Sequence, residues 1–142
     1  MDQKLGSLNT HAIVLIALLA IQYAFGMAAN LFVEFPQSAT VGQYWEFAKA
    51  QPSIDLHLLV GLLLLIGAIA LLVRAIRRKD RRWIVFASIG LAAILVAAVS
   101  GSTFISTQAD AYSYGMSIAS MIALIAYGWG LYSQTGRTGF AV

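Results

Sequence analysis

From Leu58 to Val73 the chain carries no polar side chain at all. A run of that length without strand-like alternation has one way to pair its own backbone in an apolar solvent, the α-helix. Three further stretches share this character. The four segments, about 11 to 33, 54 to 74, 83 to 104 and 111 to 133, each approach the ~20 residues that a membrane crossing requires. Composition agrees, because the 142 residues are 60% hydrophobic and 11% charged, against roughly 25% charged in soluble domains. The expected fold is all-α: a single domain over residues 1-142, an integral membrane four-helix up-and-down bundle.

Punctuation marks the ends of these segments. Pro52 bars an earlier helix start, Ser53 is a candidate N-cap for the second segment, and Asp55 suits the positive end of its dipole. The first segment is less pure, with Gln22, Tyr23 and Asn30 inside it and Glu34 and Pro36 closing it. Its apolar run exceeds the h-region of a signal peptide, so it reads as a retained helix. Ser7, Asn9, Thr10 and His11 read as capping at its start, with Asn9 or Thr10 as N-cap.

Six of the nine basic residues, Arg74, Arg77, Arg78, Lys79, Arg81 and Arg82, crowd the connector between the second and third segments. With Lys4 and Arg137 near the termini, they predict both termini and this connector on the cytoplasmic side of the plasma (inner) membrane. Residues 34–53 and 105–110 then face outward. The basic cluster is first a topology determinant and second an anionic-lipid contact, and nucleic acid is not an expected partner.

Tyr44, Trp45 and Phe47 predict a short interfacial helix from about Val41 to Ala50, an anchor in preference to a lid over a ligand site. Trp83, Trp129 and Tyr132 read as the aromatic belt of the cytoplasmic face. The third segment is thin, with Ala87, Ser88, Gly90, Ala92, Ala93, Ala97, Ala98 and Gly101. Such a helix suits close approach by neighbours, within the bundle, in a second copy or in another membrane subunit.

The absence of cysteine excludes disulfides, thiolate metal sites and covalent haem attachment. No phosphate-binding loop, nucleophile elbow, metalloprotease helix or mid-membrane charge occurs, which leaves enzymatic activity open and argues against ion-coupled transport. The two histidines fall near opposite faces of the membrane in this topology, so they cannot share one centre across a ~30 Å core. His11 belongs to the cytoplasmic face. His57 lies one turn into the second segment from outside, at the depth of Met27 and Met116.

Around that level lie Gln22, Tyr23, Asn30, Thr103, Ser113, Tyr114 and Ser117. Ser113, Met116, Ser117, Ser120 and Tyr127 share one stripe of the fourth segment, expected to face the bundle interior. Gly61, one turn below His57, leaves room for a flat ligand or a neighbouring backbone. Neutral imidazole with thioether suits haem iron or copper(I), making His57 and Met116 candidate metal ligands. The plain alternative is a histidine bonded to a carbonyl and methionines filling apolar space.

The Gln22 position, the His57-x-x-x-Gly61 pattern and the Ser100-Gly101 turn expected to end the third segment together resemble small bacterial four-helix b-type cytochromes. They are similar also to one half of a haem A synthase. The resemblance implies haem b and electron transport, with His57, Gly61, Met27, Met116, Gln22, Tyr114 and Ser117 around the cofactor. Those families offer a second histidine in the fourth helix, where this chain has Ser113, Tyr114 and Met116. The sixth ligand would then be Met116, Met27 or the His57 of a second copy. Beside a cofactor-binding role stand two others: a non-catalytic accessory subunit of a larger membrane complex, and a small-molecule carrier or pore lined by the serine stripe.

Overall fold

The computed structural model describes residues 2–135, with side chains from 8 to 133. Arg137, one of the expected cytoplasmic charges, lies outside the described residues, as does the side chain of Lys4. Five helices follow one another: α1 (Asp2–Phe32), α2 (Val41–Ala50), α3 (Pro52–Arg77), α4 (Arg81–Thr107) and α5 (Asp110–Thr135). No strand occurs among the described residues. Four spans, Leu8–Phe32, Pro52–Arg77, Arg81–Thr107 and Asp110–Ser133, are long and apolar enough to cross a membrane.

Their outward faces carry Leu59, Leu62 and Ile66 on α3, Val96 and Val99 on α4 and Ile125 on α5, all about half exposed or more. Side chains of this size and polarity cover a surface that lipid, not water, solvates. The protein is therefore a multi-pass membrane protein. In cross-section α1 packs on α3 and α5, and α4 packs on the same two, so that four helices enclose a common interior. The short α2 lies against α3 and α4.

Helix ends depart from the sequence expectations where several caps compete. α1 begins at Asp2, so Asn9 and Thr10 are helical rather than capping: a helix of this length propagates through the polar residues once the apolar face beyond them is packed. α3 is capped by Gln51 without a side-chain bond and has Pro52 at its first position, not Ser53 as N-cap. Proline has no N–H to satisfy and its φ is already helical there. α4 starts two residues before the expected 83, because Asp80 Oδ1 accepts from Trp83 N at 3.2 Å. It also runs past Ser100-Gly101 to Thr107, where Gln108 in the left-handed region (φ 57°) ends it. Glycine does not break a helix whose flanks are this apolar. The expected α2 is present over its predicted range, set by a capping box in which Thr40 N donates to Gln43 Oε1 at 2.8 Å.

The continuous core runs from the α3–α4 connector toward mid-span and contains Leu8, Leu15, Leu71, Trp83 and Tyr127, all essentially unexposed. Trp83 is thus not part of an interfacial belt. Its indole fills the space over Gly130, where a Cβ would lie 2.8 Å from the ring, and burial of that large apolar surface outweighs an unpaired Nε1–H. Trp129 and Tyr132 are exposed and in contact, as a belt requires. The thin α4 uses its small residues on one face: Ala87, Gly90 and Ala93 are buried, whereas Ser88, Ala92 and Ala98 are not. Arg82 Nη1 donates to Ser133 O at 2.9 Å, tying the start of α4 to the last carbonyls of α5.

Candidate functional site

Gln22 and Gly26 stand one turn apart on α1, facing His57 and Gly61, one turn apart on α3. His57 Nδ1 lies 3.1 Å from the Gln22 carbonyl oxygen. A carbonyl only accepts, so Nδ1 carries the proton and Nε2 is the acceptor. The Gln22 amide nitrogen, 3.0 Å from Nε2, donates to it. The imidazole is thereby neutral with both nitrogens satisfied across the α1–α3 interface. This pairing fixes the amide orientation, and Gln22 Oε1 is left buried with no partner.

The two glycines make the arrangement sterically possible. A Cβ at Gly26 would lie 3.0 Å from His57 Cε1, and one at Gly61 would lie 3.2 Å from Gln22 Nε2. The room that sequence assigns to a flat ligand beneath the imidazole is taken here by the Gln22 amide.

His57 and Gln22 form the polar end of a cavity of about 310 Å³ between all four spans. Its walls are mostly apolar, from Leu19, Leu65, Ile94 and Ala97 among others, with Asn30, Ser102, Ser113 and Ser120 as the further polar side chains, and α2 with the preceding strap covers one end through Trp45 and Phe35. Trp45 Nε1 donates to Ser106 Oγ at 3.3 Å, and Phe35 meets Phe104 edge-on. α2 is therefore a cover over an interior space, the role that sequence ranks second to an interfacial anchor. A smaller hollow of about 50 Å³ adjoins, lined by Met27, Met116, Ser117 and His57.

Of the residues singled out in sequence, Gln22, His57, Gly61 and Met116 line the main cavity, and Met27 and Ser117 the smaller one. Tyr114 lines neither and is 71% exposed, because its place on α5 points it away from α1 and α3. Ser113, Met116 and Ser120 face the interior as expected, and Tyr127 is buried further along the same stripe. The serine hydroxyls are occupied locally: Ser117 donates to Ser113 O and Ser120 to Met116 O. Thr103 likewise donates to Val99 O. No group of three or more His, Cys, Asp or Glu side chains converges among the described residues.

Gly26, Gly101 and Phe35 line the main cavity and are not assigned to it by sequence. Gly26 follows Gln22 by four residues, a spacing that signals a shared face. Gly101 accommodates Met116, whose sulfur would lie 3.1 Å from a Cβ there. The other histidine is engaged elsewhere: His11 Nδ1 accepts from Arg74 Nη1 at 3.1 Å. Residues 57 and 74 on one helix are roughly 25 Å apart at 1.5 Å per residue, so the two imidazoles mark separate regions. No protein family, curated protein or solved structure matches this chain.

Proposed function

We propose that this protein holds a lipophilic small molecule in the cavity between its four spans, with Gln22 and His57 as the polar anchor. The observation that carries this reading is a mostly apolar interior space of about 310 Å³ with a hydrogen-bonded glutamine–histidine pair at one end and few other polar side chains in its walls. That volume is at the small end of ligand sites, which pair apolar walls with a few placed polar groups. The up-and-down arrangement rests on the short Arg78–Asp80 and 108–109 connections between neighbouring helices. The charged connector at residues 74–82 supports termini in the cytoplasm and an α2 cover outside the plasma (inner) membrane.

Haem b is the particular cofactor that the resemblance implies, and two features fit it. A ligating histidine is oriented by a bond from its other nitrogen to a carbonyl, and His57 Nδ1 makes that bond to Gln22. Met116 lines the same cavity. His57 and Met116 would hold the iron, and the Gln22 amide would turn away from Nε2. Bound there, haem supplies one-electron transfer, while the chain's own part is to fix the imidazole and exclude water. Protein purified from haem-replete cells is expected to show a Soret band that His57→Ala abolishes. Organic extraction and mass spectrometry of the same preparation test for any other lipophile. A preparation that is colourless and yields no bound small molecule refutes the reading.

A further inference from the structure

The cavity is not closed on every side. Leu58 and Leu62 of α3, and Ala98 and Ser102 of α4, line it while remaining exposed on the outer surface. α3 and α4 are joined by a three-residue connector centred on Lys79. Counting equal distances from that centre, position 58 faces position 100 and position 62 faces position 96, so Leu58 stands between the levels of Ala98 and Ser102, and Leu62 lies about one turn nearer the connector. They form two sides of a slot. Toward the connector both helices are packed into the core, with Leu64, Ala68 and Leu71 of α3 and Ala87 and Ala93 of α4 all buried. Toward the other end α4 presents Ala97, Ala98, Gly101 and Ser102, which are too short to reach across to α3.

At the far end of the cavity, α2 packs on α3 and α4, and Phe35 sits among Tyr44, Phe47 and Phe104. The side nearest water is thus plugged by aromatic rings, and the side facing lipid is open. We infer that the cavity is loaded sideways from the bilayer through the α3–α4 slot, and that its occupant is a membrane-dissolved lipophile, not a water-soluble solute. This inference rests on the cavity being a ligand site, and it specifies the ligand class and the route.

The chain has no cysteine, so a single thiol reports access cleanly. Ala97→Cys, on the cavity wall, is reconstituted in lipid nanodiscs and reacted with two reagents: uncharged N-phenylmaleimide and the cationic, membrane-impermeant methanethiosulfonate MTSET. Both are normalised to a lipid-exposed and a water-exposed control thiol. N-phenylmaleimide is expected to react at least about tenfold faster than MTSET on that scale. Adding Ala98→Phe or Ser102→Phe at the rim is expected to slow it by about the same factor, while Trp45→Ala leaves it unchanged. Two positions are used so that one misfolded variant does not decide the outcome.

Equal normalised rates for the two reagents, or rates indifferent to both rim substitutions and raised by Trp45→Ala, would place the opening under α2 and overturn the slot. The cavity reading survives that result, because it stands on the extraction and absorption measurements. A thiol inert to both reagents overturns the slot as well.

Discussion

Gly90 lies where α4 crosses Tyr127 of α5, and replacing it by alanine tests whether close helix approach holds the bundle together. A Cβ at Gly90 would stand 2.4 Å from Tyr127 Cζ, 2.5 Å from Cε1 and 2.7 Å from the hydroxyl oxygen. Non-bonded carbons rest at about 3.5–4.0 Å, so the ring or the helix must retreat by more than about 1 Å. Tyr127 is fully buried, so any retreat of its ring displaces packed neighbours. Overpacking of this kind costs about 1–3 kcal/mol, and a clash with a rigid ring belongs at the upper end.

Alanine also gains about 1 kcal/mol of helix propensity over glycine. Gly128→Ala, on α5, supplies that gain without a clash, because a Cβ added at Gly128 would meet nothing within 4 Å. The propensity cancels between the two variants, so Gly90→Ala is expected to be less stable than Gly128→Ala by about 2–3 kcal/mol. Detergent-to-SDS unfolding followed by circular dichroism measures the difference. Adding Tyr127→Leu to Gly90→Ala should recover part of the loss, whereas Tyr127→Phe should not, because Cζ and Cε1 remain. Equal stability of the two alanine variants would refute the packing argument.

Gly26→Ala is expected to push His57 off the Gln22 carbonyl, costing about one hydrogen bond, or roughly 1 kcal/mol; an unchanged imidazole N–H resonance in nitrogen-15 NMR spectra would contradict this. Topology is checked with a lone thiol at exposed Ser38. An impermeant maleimide should label Ser38→Cys in intact cells, and Arg77, Arg78, Arg81 and Arg82 changed together to Glu should abolish that labelling. Persistent labelling would show that the connector charge does not set the orientation.

The spans and α2 are legible in the sequence because hydropathy and turn chemistry act locally: Val41–Ala50 begins at a threonine followed three residues later by glutamine. Polar residues on the right face of α1 and α3 also identify one wall of the cavity. What sequence does not encode locally is which of several small or aromatic residues meets which partner. Trp83 has the composition of a belt residue and is buried because Gly130, 47 positions on, leaves it a space. Ser100 and Gly101 look like a helix end until Met116 is brought against Gly101. Depth alone puts Tyr114 in the site, and depth says nothing of azimuth once the neighbouring helices are unknown.

The histidines are exchanged between the same two helices. α3 lends His57 to the backbone of α1, and α1 lends His11 to the Arg74 side chain of α3, at sites roughly four or five turns apart. Sliding one of these helices along the other by a single turn, about 5.4 Å, would part both contacts together. The pair is pinned lengthwise at two points. On the lateral-entry proposal, widening the slot then falls to α4 and to α5, which packs closely on it.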